Sequence, residues 1–152
     1  MVTLKGIEPI MTKANRLAES RILIVDDMGI MRRVMENSLK EIGYIKLTEA
    51  RDGHGALALL NQQEFDLVIT DLDMPVLDGI GLLKAMKANE RLAKTPVLVV
   101  SAETERHKIV SAITSGAHGY IIKPFAIAKL RSKINEILDK VELQGSQPKS
   151  AE

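Results

Sequence analysis

The stretch FDLVITDLDMPVLDG at residues 65–79 decides the fold of this chain. A mostly apolar run ends at Asp71, and a second acid, Asp73, follows two residues later. Pro75 and the pair Asp78–Gly79 then interrupt the extended chain. This pattern predicts a buried strand followed by a loop and a helix, with carboxylates placed where the strand ends.

Four further β-rich apolar runs accompany this strand, and segments with helical spacing of apolar residues follow each run. Strands alternating with helices are typical of βαβ units. They predict an α/β fold with a doubly wound parallel sheet that is covered by helices on both faces. The predicted strands are 21–26, 44–50, 65–71, 95–101 and 119–123, and the predicted helices are 28–42, 53–62, 79–88, 104–115 and 125–141.

The chain of 152 residues has the length of one ordinary domain. We predict a partly flexible N-terminal extension at 1–19, a single domain at 20–141 and a polar, flexible tail at 142–152. The sequence contains no apolar run long enough for a bilayer and no secretory signal, so we expect a cytoplasmic protein without a membrane partner. A net charge of +1 gives no reason to expect nucleic acid, and the absence of cysteine excludes thiolate chemistry.

Acidic side chains follow two of the predicted strands. Asp26 and Asp27 end the first strand, and Asp71 ends the third. Ligands of doubly wound sheets bind beyond the carboxyl ends of the strands, so we expect these carboxylates to share one hollow. Like charges that close repel one another unless a proton, a cation or a lysine compensates them. Oxygen ligands of this kind suit Mg²⁺.

A hydroxyl and an ammonium group end the two remaining strands at the same edge. The fourth strand ends in Ser101 and the fifth in Lys123. Beside a carboxylate and Mg²⁺, these groups form a set that binds a phosphoryl group. An aspartate can itself act as the nucleophile and give an acyl phosphate. We therefore hypothesise that Asp71 is phosphorylated.

The same residues resemble a known family, the receiver domain of two-component response regulators. The motifs that carry the resemblance are VDD at 25–27, DLDMPVLDG at 71–79, SAE at 101–103 and GYIIKPF at 119–125. Within the family, the chain is most similar to the stand-alone chemotaxis regulators. The resemblance implies a flavodoxin-like sheet of five parallel strands in the order 2-1-3-4-5, with five helices.

The resemblance also implies a role for each acid. It implies that Asp71 is the phosphoacceptor and a metal ligand. Asp27 is then a direct Mg²⁺ ligand, Asp26 acts largely through water, and the backbone carbonyl of Asp73 completes the protein's share of the coordination. Asp73 departs from the chemotaxis pattern, which has asparagine there. We expect its extra carboxylate to slow hydrolysis of the phosphorylated form.

The resemblance further implies a switch beside the acids. Lys123 is expected to pair with the phosphoryl group, and its peptide bond to Pro124 is expected to be cis. Ser101 is expected to swing toward the phosphoryl group, and Tyr120 to turn inward as Ser101 moves. Taken from the residues alone, Asp78 is better explained as a helix N-cap, and Arg32 as part of a solvated helix face.

The function implied is phosphorylation-driven signalling by a monomer. A histidine kinase donates the phosphoryl group, and a downstream protein binds the face of the fourth predicted helix, fifth strand and fifth helix. No enzyme activity is expected beyond self-phosphorylation from small donors and autodephosphorylation. Three different functions stay open: a phosphorelay or adaptor receiver, a receiver that binds partners without phosphorylation, and a haloacid dehalogenase-type phosphatase. Pro75 and the upstream position of the acidic pair at 26–27 disfavour the phosphatase.

Overall fold

Residues 12–146 are described by the computed structural model. Their elements, in chain order, are α1 (Lys13–Glu19), β1 (Arg21–Val25), α2 (Gly29–Ile42), β2 (Lys46–Ala50), α3 (Gly53–Gln62), β3 (Leu67–Thr70), α4 (Gly79–Ala88), β4 (Val97–Ser101), α5 (Arg106–Thr114), β5 (Gly119–Ile122) and α6 (Ile127–Ser146). All strand pairs are parallel, and the strand order is β2-β1-β3-β4-β5. The predicted flavodoxin-like sheet and its strand order are therefore confirmed.

Alternate residues of each strand supply two apolar cores, one on each face of the sheet. Leu23 and Val68 belong to the core under α3, α4 and α5. Ile24 and Ile69, their neighbours in sequence, belong to the core under α2 and α6. None of these four side chains is more than 2% exposed, so both faces of the central strands are covered. This double coverage explains why the strands read as continuous apolar runs.

The five predicted strands and five predicted helices all form, and most of their bounds lie within two residues of prediction. The exception is α6, which runs to Ser146 although its apolar period ends at Val141. An additional helix, α1, precedes β1, so the predicted fourth and fifth helices are α5 and α6 of the structure. None of the helices within 12–146 has both the length and the apolar character needed to cross a bilayer.

The additional helix α1 is joined to the C-terminal part of α6 by ion pairs. Arg16 Nη2 lies 2.7 Å from Asp139 Oδ1 and 2.7 Å from Glu142 Oε2. Residues 13–19 of the predicted flexible extension and residues 142–146 of the predicted tail are helical, and these pairs link the two helices. The remainder of those segments, residues 1–11 and 147–152, lies outside the described residues. The predicted domain boundaries stay predictions.

The loop between β3 and α4 brings the start of α4 against the end of β3. Asp78 is the N-cap of α4, and its side chain accepts a hydrogen bond of 2.8 Å from Gly81 N, as predicted. The N–H of Gly79 donates to the carbonyl of Leu72 over 2.8 Å. A Cβ on Gly79 would lie only 2.4 Å from the backbone oxygen of Asp71. Only glycine fits this contact, which fixes the backbone that carries Asp71.

Val76, in the same loop, has a strained backbone. Its φ is 70°, a value that β-branched residues rarely adopt. The N–H of Leu77 donates over 2.8 Å to the carbonyl of Pro75, which closes a three-residue turn around Val76. The Val76 side chain is 85% exposed, so little packing offsets the strain.

We expect Val76→Gly to raise the free energy of unfolding by about 1 kcal/mol, because glycine adopts this conformation without a Cβ clash. Chemical denaturation monitored by circular dichroism measures the change. Val76→Ala is the matched control, since it removes the branched side chain but keeps Cβ, and we expect little gain from it. An equal gain from both variants, or a loss from Val76→Gly, contradicts the strain argument.

Candidate functional site

The carboxylates that end β1 and β3 meet at one edge of the sheet. Val25 and Thr70, the last residues of these neighbouring strands, are register partners, so Asp26 and Asp71 emerge side by side. Asp26, Asp27 and Asp71 each offer an oxygen to a cluster whose atoms lie within 4.8 Å of one another. Three oxygens this close fit the hard-oxygen coordination of Mg²⁺. The structure thus brings together the three acids that the sequence predicted would converge.

Lys123, directly after β5, provides a positive charge for this cluster. Its Nζ lies 2.8 Å from Asp26 Oδ2 and 3.4 Å from Asp71 Oδ2. Burial by itself would lower the pKa of Lys123. The hydrogen bond to Asp26 and the charges of Asp71 and Asp26 outweigh burial, so the pKa lies above its usual value. Lys123 therefore stays protonated, and its peptide bond to Pro124 is cis, as expected.

The two carboxylate oxygens of Asp71 have different environments. Oδ1 accepts a hydrogen bond of 2.7 Å from Leu72 N and a longer one of 3.4 Å from Asp73 N. Oδ2 faces Lys123. The Asp71 side chain is 11% exposed, so it is held in one orientation yet accessible from the edge of the sheet. Backbone N–H groups thus hold Asp71 Oδ1, and Asp71 Oδ2 points toward the Lys123 ammonium.

The residues predicted to form the switch lie beside the acids and contact the same loop. Ser101, at the end of β4, is fully buried, and its Oγ accepts a hydrogen bond of 3.2 Å from Glu103 N. Tyr120 on β5 donates its hydroxyl to the carbonyl of Glu103 over 2.8 Å. The partly buried Tyr120 ring packs against the core under α3, α4 and α5. Glu103 therefore joins Ser101 to Tyr120 through its backbone.

Arg32 belongs to this site, and its prediction as a solvated residue was wrong. Its side chain is 16% exposed. Nη1 donates over 2.7 Å to the backbone carbonyl of Asp26, and Nε lies 3.0 Å from Glu49 Oε1 on β2. Met28 N donates over 2.9 Å to Asp26 Oδ1. These bonds hold the turn after β1, and with it the acidic pair Asp26 and Asp27, in a fixed shape.

Two further acids of the β3–α4 loop lie outside the cluster. Asp73 is exposed, and the structure places its backbone N–H, not its side chain, against Asp71. Asp78 caps α4 and takes no part in the cluster. The Asp73 carboxylate therefore lies at the rim of the site and is not one of the clustered acids.

A parallel sheet of this strand order, with three acids and a lysine at its carboxyl edge, is the arrangement expected from the resemblance to a receiver domain. The family model for the response regulator receiver domain matches residues 22–135. The chain belongs to this family.

Among individual proteins, the chain is similar to chemotaxis receivers. It is 45% identical over 121 residues to the chemotaxis protein CheY of Pseudomonas aeruginosa, covering 80% of this chain and 98% of that protein. It is similar to the crystal structure of the chemotaxis protein CheY4 of Vibrio cholerae, with a TM-score of 0.74 and 32% identity, covering 80% of this chain and 100% of that one.

A third relative bears on the metal. The receiver domain of a sensor histidine kinase from Pseudomonas aeruginosa PAO1 has a magnesium ion coordinated in its active-site cleft. The chain matches it with a TM-score of 0.74 and 27% identity, covering 80% of this chain and 99% of that one.

The chain is thus a CheY-like receiver of the two-component type, a class that signals through phosphorylation. Receiver domains are signalling domains and not conventional enzymes. They bind Mg²⁺ at their acidic site, accept phosphoryl groups from histidine kinases and bind downstream targets. Because the family model covers residues 71–73, the DLD motif there belongs to a receiver domain. The comparisons give no support to a dehalogenase-type phosphatase, to a phosphorelay or adaptor role, or to partner binding without phosphorylation.

Proposed function

We propose that Asp71 is the phosphoacceptor of this receiver and that a histidine kinase is its donor. The observation that carries the proposal is the convergence of Asp26, Asp27 and Asp71 on Lys123 at one sheet edge. An Asp71 oxygen attacks the phosphorus, forming an acyl phosphate O–P bond as the bond to the donor's histidine nitrogen breaks. Self-phosphorylation from acetyl phosphate uses the same attack by Asp71, and the donor's P–O bond breaks to release acetate.

The residues around Asp71 have distinct roles in this reaction. Asp27, Asp71 and the backbone carbonyl of Asp73 would hold Mg²⁺, with Asp26 contributing through water. When bound, Mg²⁺ neutralises the charge that develops on the phosphoryl oxygens. Lys123, shared between two carboxylates before the reaction, pairs with the phosphoryl group afterwards.

The signal then passes from Ser101 and Tyr120 to a protein partner. Ser101 donates its hydroxyl to the phosphoryl group, and Tyr120 follows it inward. The α5–β5–α6 face carries exposed apolar side chains, Val110, Ile113 and Ile122, which suit a protein target. The likeness to chemotaxis proteins favours a chemotaxis or flagellar-motor output. We further propose that the receiver domain spans 20–141 and acts as a cytoplasmic monomer without membrane or nucleic-acid partners.

Intact-mass spectrometry after incubation with Mg²⁺ and acetyl phosphate tests the proposal. We expect the parent protein to gain the mass of one phosphoryl group and Asp71→Asn to gain none. Omitting Mg²⁺, or chelating it, is expected to prevent the gain. An equal gain in the two proteins, or no gain in the parent, contradicts the proposed acceptor.

Arg32→Met is expected to weaken Mg²⁺ binding roughly tenfold, because residues that orient metal ligands typically contribute a factor of this order. The variant loses the bond that holds the Asp26 carbonyl. The Mg²⁺ concentration that half-maximally raises the thermal unfolding midpoint measures the affinity. Arg33→Met is the matched control, since Arg33 is exposed and adjacent. The same Mg²⁺ dependence in both variants contradicts the role of Arg32.

Asp73→Asn is expected to shorten the half-life of the phosphorylated form by roughly threefold. In the parent, the Asp73 carboxylate at the rim repels the charge that develops on an attacking water. The decay of the phosphorylated mass after donor removal measures the half-life. Asp78→Asn is the matched control, because it removes one charge from the same loop and asparagine still caps α4. A parent half-life equal to or shorter than that of Asp73→Asn overturns this prediction.

A further inference from the structure

An ion pair that the reaction above does not use links the loop between β4 and α5 to the first turn of α5. Glu103 Oε2 lies 3.1 Å from Lys108 Nζ, and the Glu103 side chain is only 14% exposed. Its other oxygen, Oε1, accepts a hydrogen bond of 2.8 Å from Glu105 N. The Glu105 N–H bond and the Lys108 charge hold the pKa of Glu103 below its usual value, so the carboxylate stays ionised.

The position of Lys108 is unusual for a lysine. It lies in the first turn of α5, where the helix dipole favours acids, and that turn reads Arg106, His107 and Lys108. Positive charge at a helix N-terminus opposes the helix dipole. In natural proteins, residues that go against such local preferences concentrate at functional sites. For Lys108 the conflict is offset by its bond to Glu103 and by the charges of Glu105 and Asp73, which all raise its pKa.

Glu103 is also the residue that holds both parts of the switch. Its N–H donates to Ser101 Oγ, and its carbonyl accepts from the Tyr120 hydroxyl. The side chain and the backbone of Glu103 therefore join the end of β4, β5 and the first turn of α5. The bond between Glu103 and Lys108 therefore belongs to the loop that contacts both Ser101 and Tyr120.

We propose that Lys108 is a positioning residue for phosphoryl acceptance, because its bond to the Glu103 carboxylate fixes the loop that orients Ser101 and Tyr120. The inference rests on the proposed function and adds Lys108 to the residues that support phosphoryl acceptance. With the loop held, the Ser101 hydroxyl has fewer alternative positions when it moves toward the phosphoryl group. Without the Lys108 charge, the Glu103 carboxylate loses its partner and the loop that contacts Ser101 and Tyr120 moves more freely.

The test compares phosphorylation rates from acetyl phosphate at saturating Mg²⁺, followed by intact mass. We expect Lys108→Met to slow the reaction roughly 2- to 10-fold, the factor that one net hydrogen bond supplies. Lys108→Arg is expected to restore most of the rate. Arg106→Met is the matched control, since it removes a charge from the same helical turn and is expected to keep the parent rate.

A second variant separates positioning from a general effect on the fold. Glu103→Gln is expected to slow the reaction about as much as Lys108→Met, and the double variant no further, because the two residues act as one unit. Unfolding by denaturant checks that all variants are folded. Multiplicative slowing in the double variant, an equal effect of Arg106→Met, or a parent-like rate in Lys108→Met overturns the inference. No adduct on the parent overturns the proposed function, and this inference with it.

Discussion

Lys123→Met is expected to accept a phosphoryl group from acetyl phosphate about 100-fold more slowly than the parent, since removing one preorganised charged donor costs a factor of this order. Lys123 forms ion pairs with two of the clustered carboxylates, at 2.8 Å from Asp26 and 3.4 Å from Asp71. Without it, the negative charge of the cluster opposes an anionic donor, and the transferred group lacks its partner. Methionine keeps an unbranched side chain, one atom shorter, and removes the ammonium group with its charge and its hydrogen bonds.

The rate of mass gain at saturating Mg²⁺ measures the effect of Lys123→Met. Lys140→Met is the matched control, because Lys140 lies on α6 and its side chain is 72% exposed. We expect the control to react at the parent rate. A rate for Lys123→Met within twofold of the parent contradicts the assignment of Lys123 to the phosphoryl group.

Gly79→Ala is expected to lower the free energy of unfolding by about 3 kcal/mol, at the upper end of the usual range for an overpacked site. The added Cβ would lie 2.4 Å from the Asp71 backbone oxygen and 2.8 Å from Leu72 Cα. Both contacts are to backbone, which cannot rotate away as a side chain does. The start of α4 must therefore move away from the end of β3, and the Asp71 backbone moves with it.

Chemical denaturation measures this change, and Gly55→Ala provides the matched control. A Cβ on Gly55 meets nothing closer than Asp52 Oδ1 at 3.4 Å, so alanine fits there. Because alanine favours a helix more than glycine does, we expect Gly55→Ala to be neutral or stabilising. A small and equal effect of the two substitutions contradicts the close contact between α4 and β3.

The fold and the acidic cluster could be predicted because their signals are periodic or local in sequence. Apolar runs of strand length indicated the five strands, and the parallel order brings their carboxyl ends to one edge. Asp26 and Asp71 each follow a strand directly, so the register of β1 and β3 is enough to bring them together. Asp78 was predictable as a cap because capping acts within three residues.

The residues that were missed act through contacts that no local pattern shows. Arg32 reads as part of a polar helix face, yet it binds the backbone carbonyl of Asp26 and a side chain on β2, 17 residues away. Helix α1 is short and contacts α6 through Arg16, whose ion-pair partners lie more than 120 residues further along the sequence. Long-range ion pairs of this kind depend on the folded geometry, so the spacing of residues in the sequence does not predict them.

The central claim is that the phosphoryl group resides on Asp71 as an acyl phosphate, and chemical mapping tests it most directly. The phosphorylated protein is reduced with borohydride, which converts an acyl phosphate to the corresponding alcohol, then digested and sequenced by tandem mass spectrometry. We predict homoserine in place of aspartate at position 71 and unmodified aspartate at 26, 27 and 73. Homoserine at any of those three positions instead, or an adduct that borohydride leaves intact, would contradict the account.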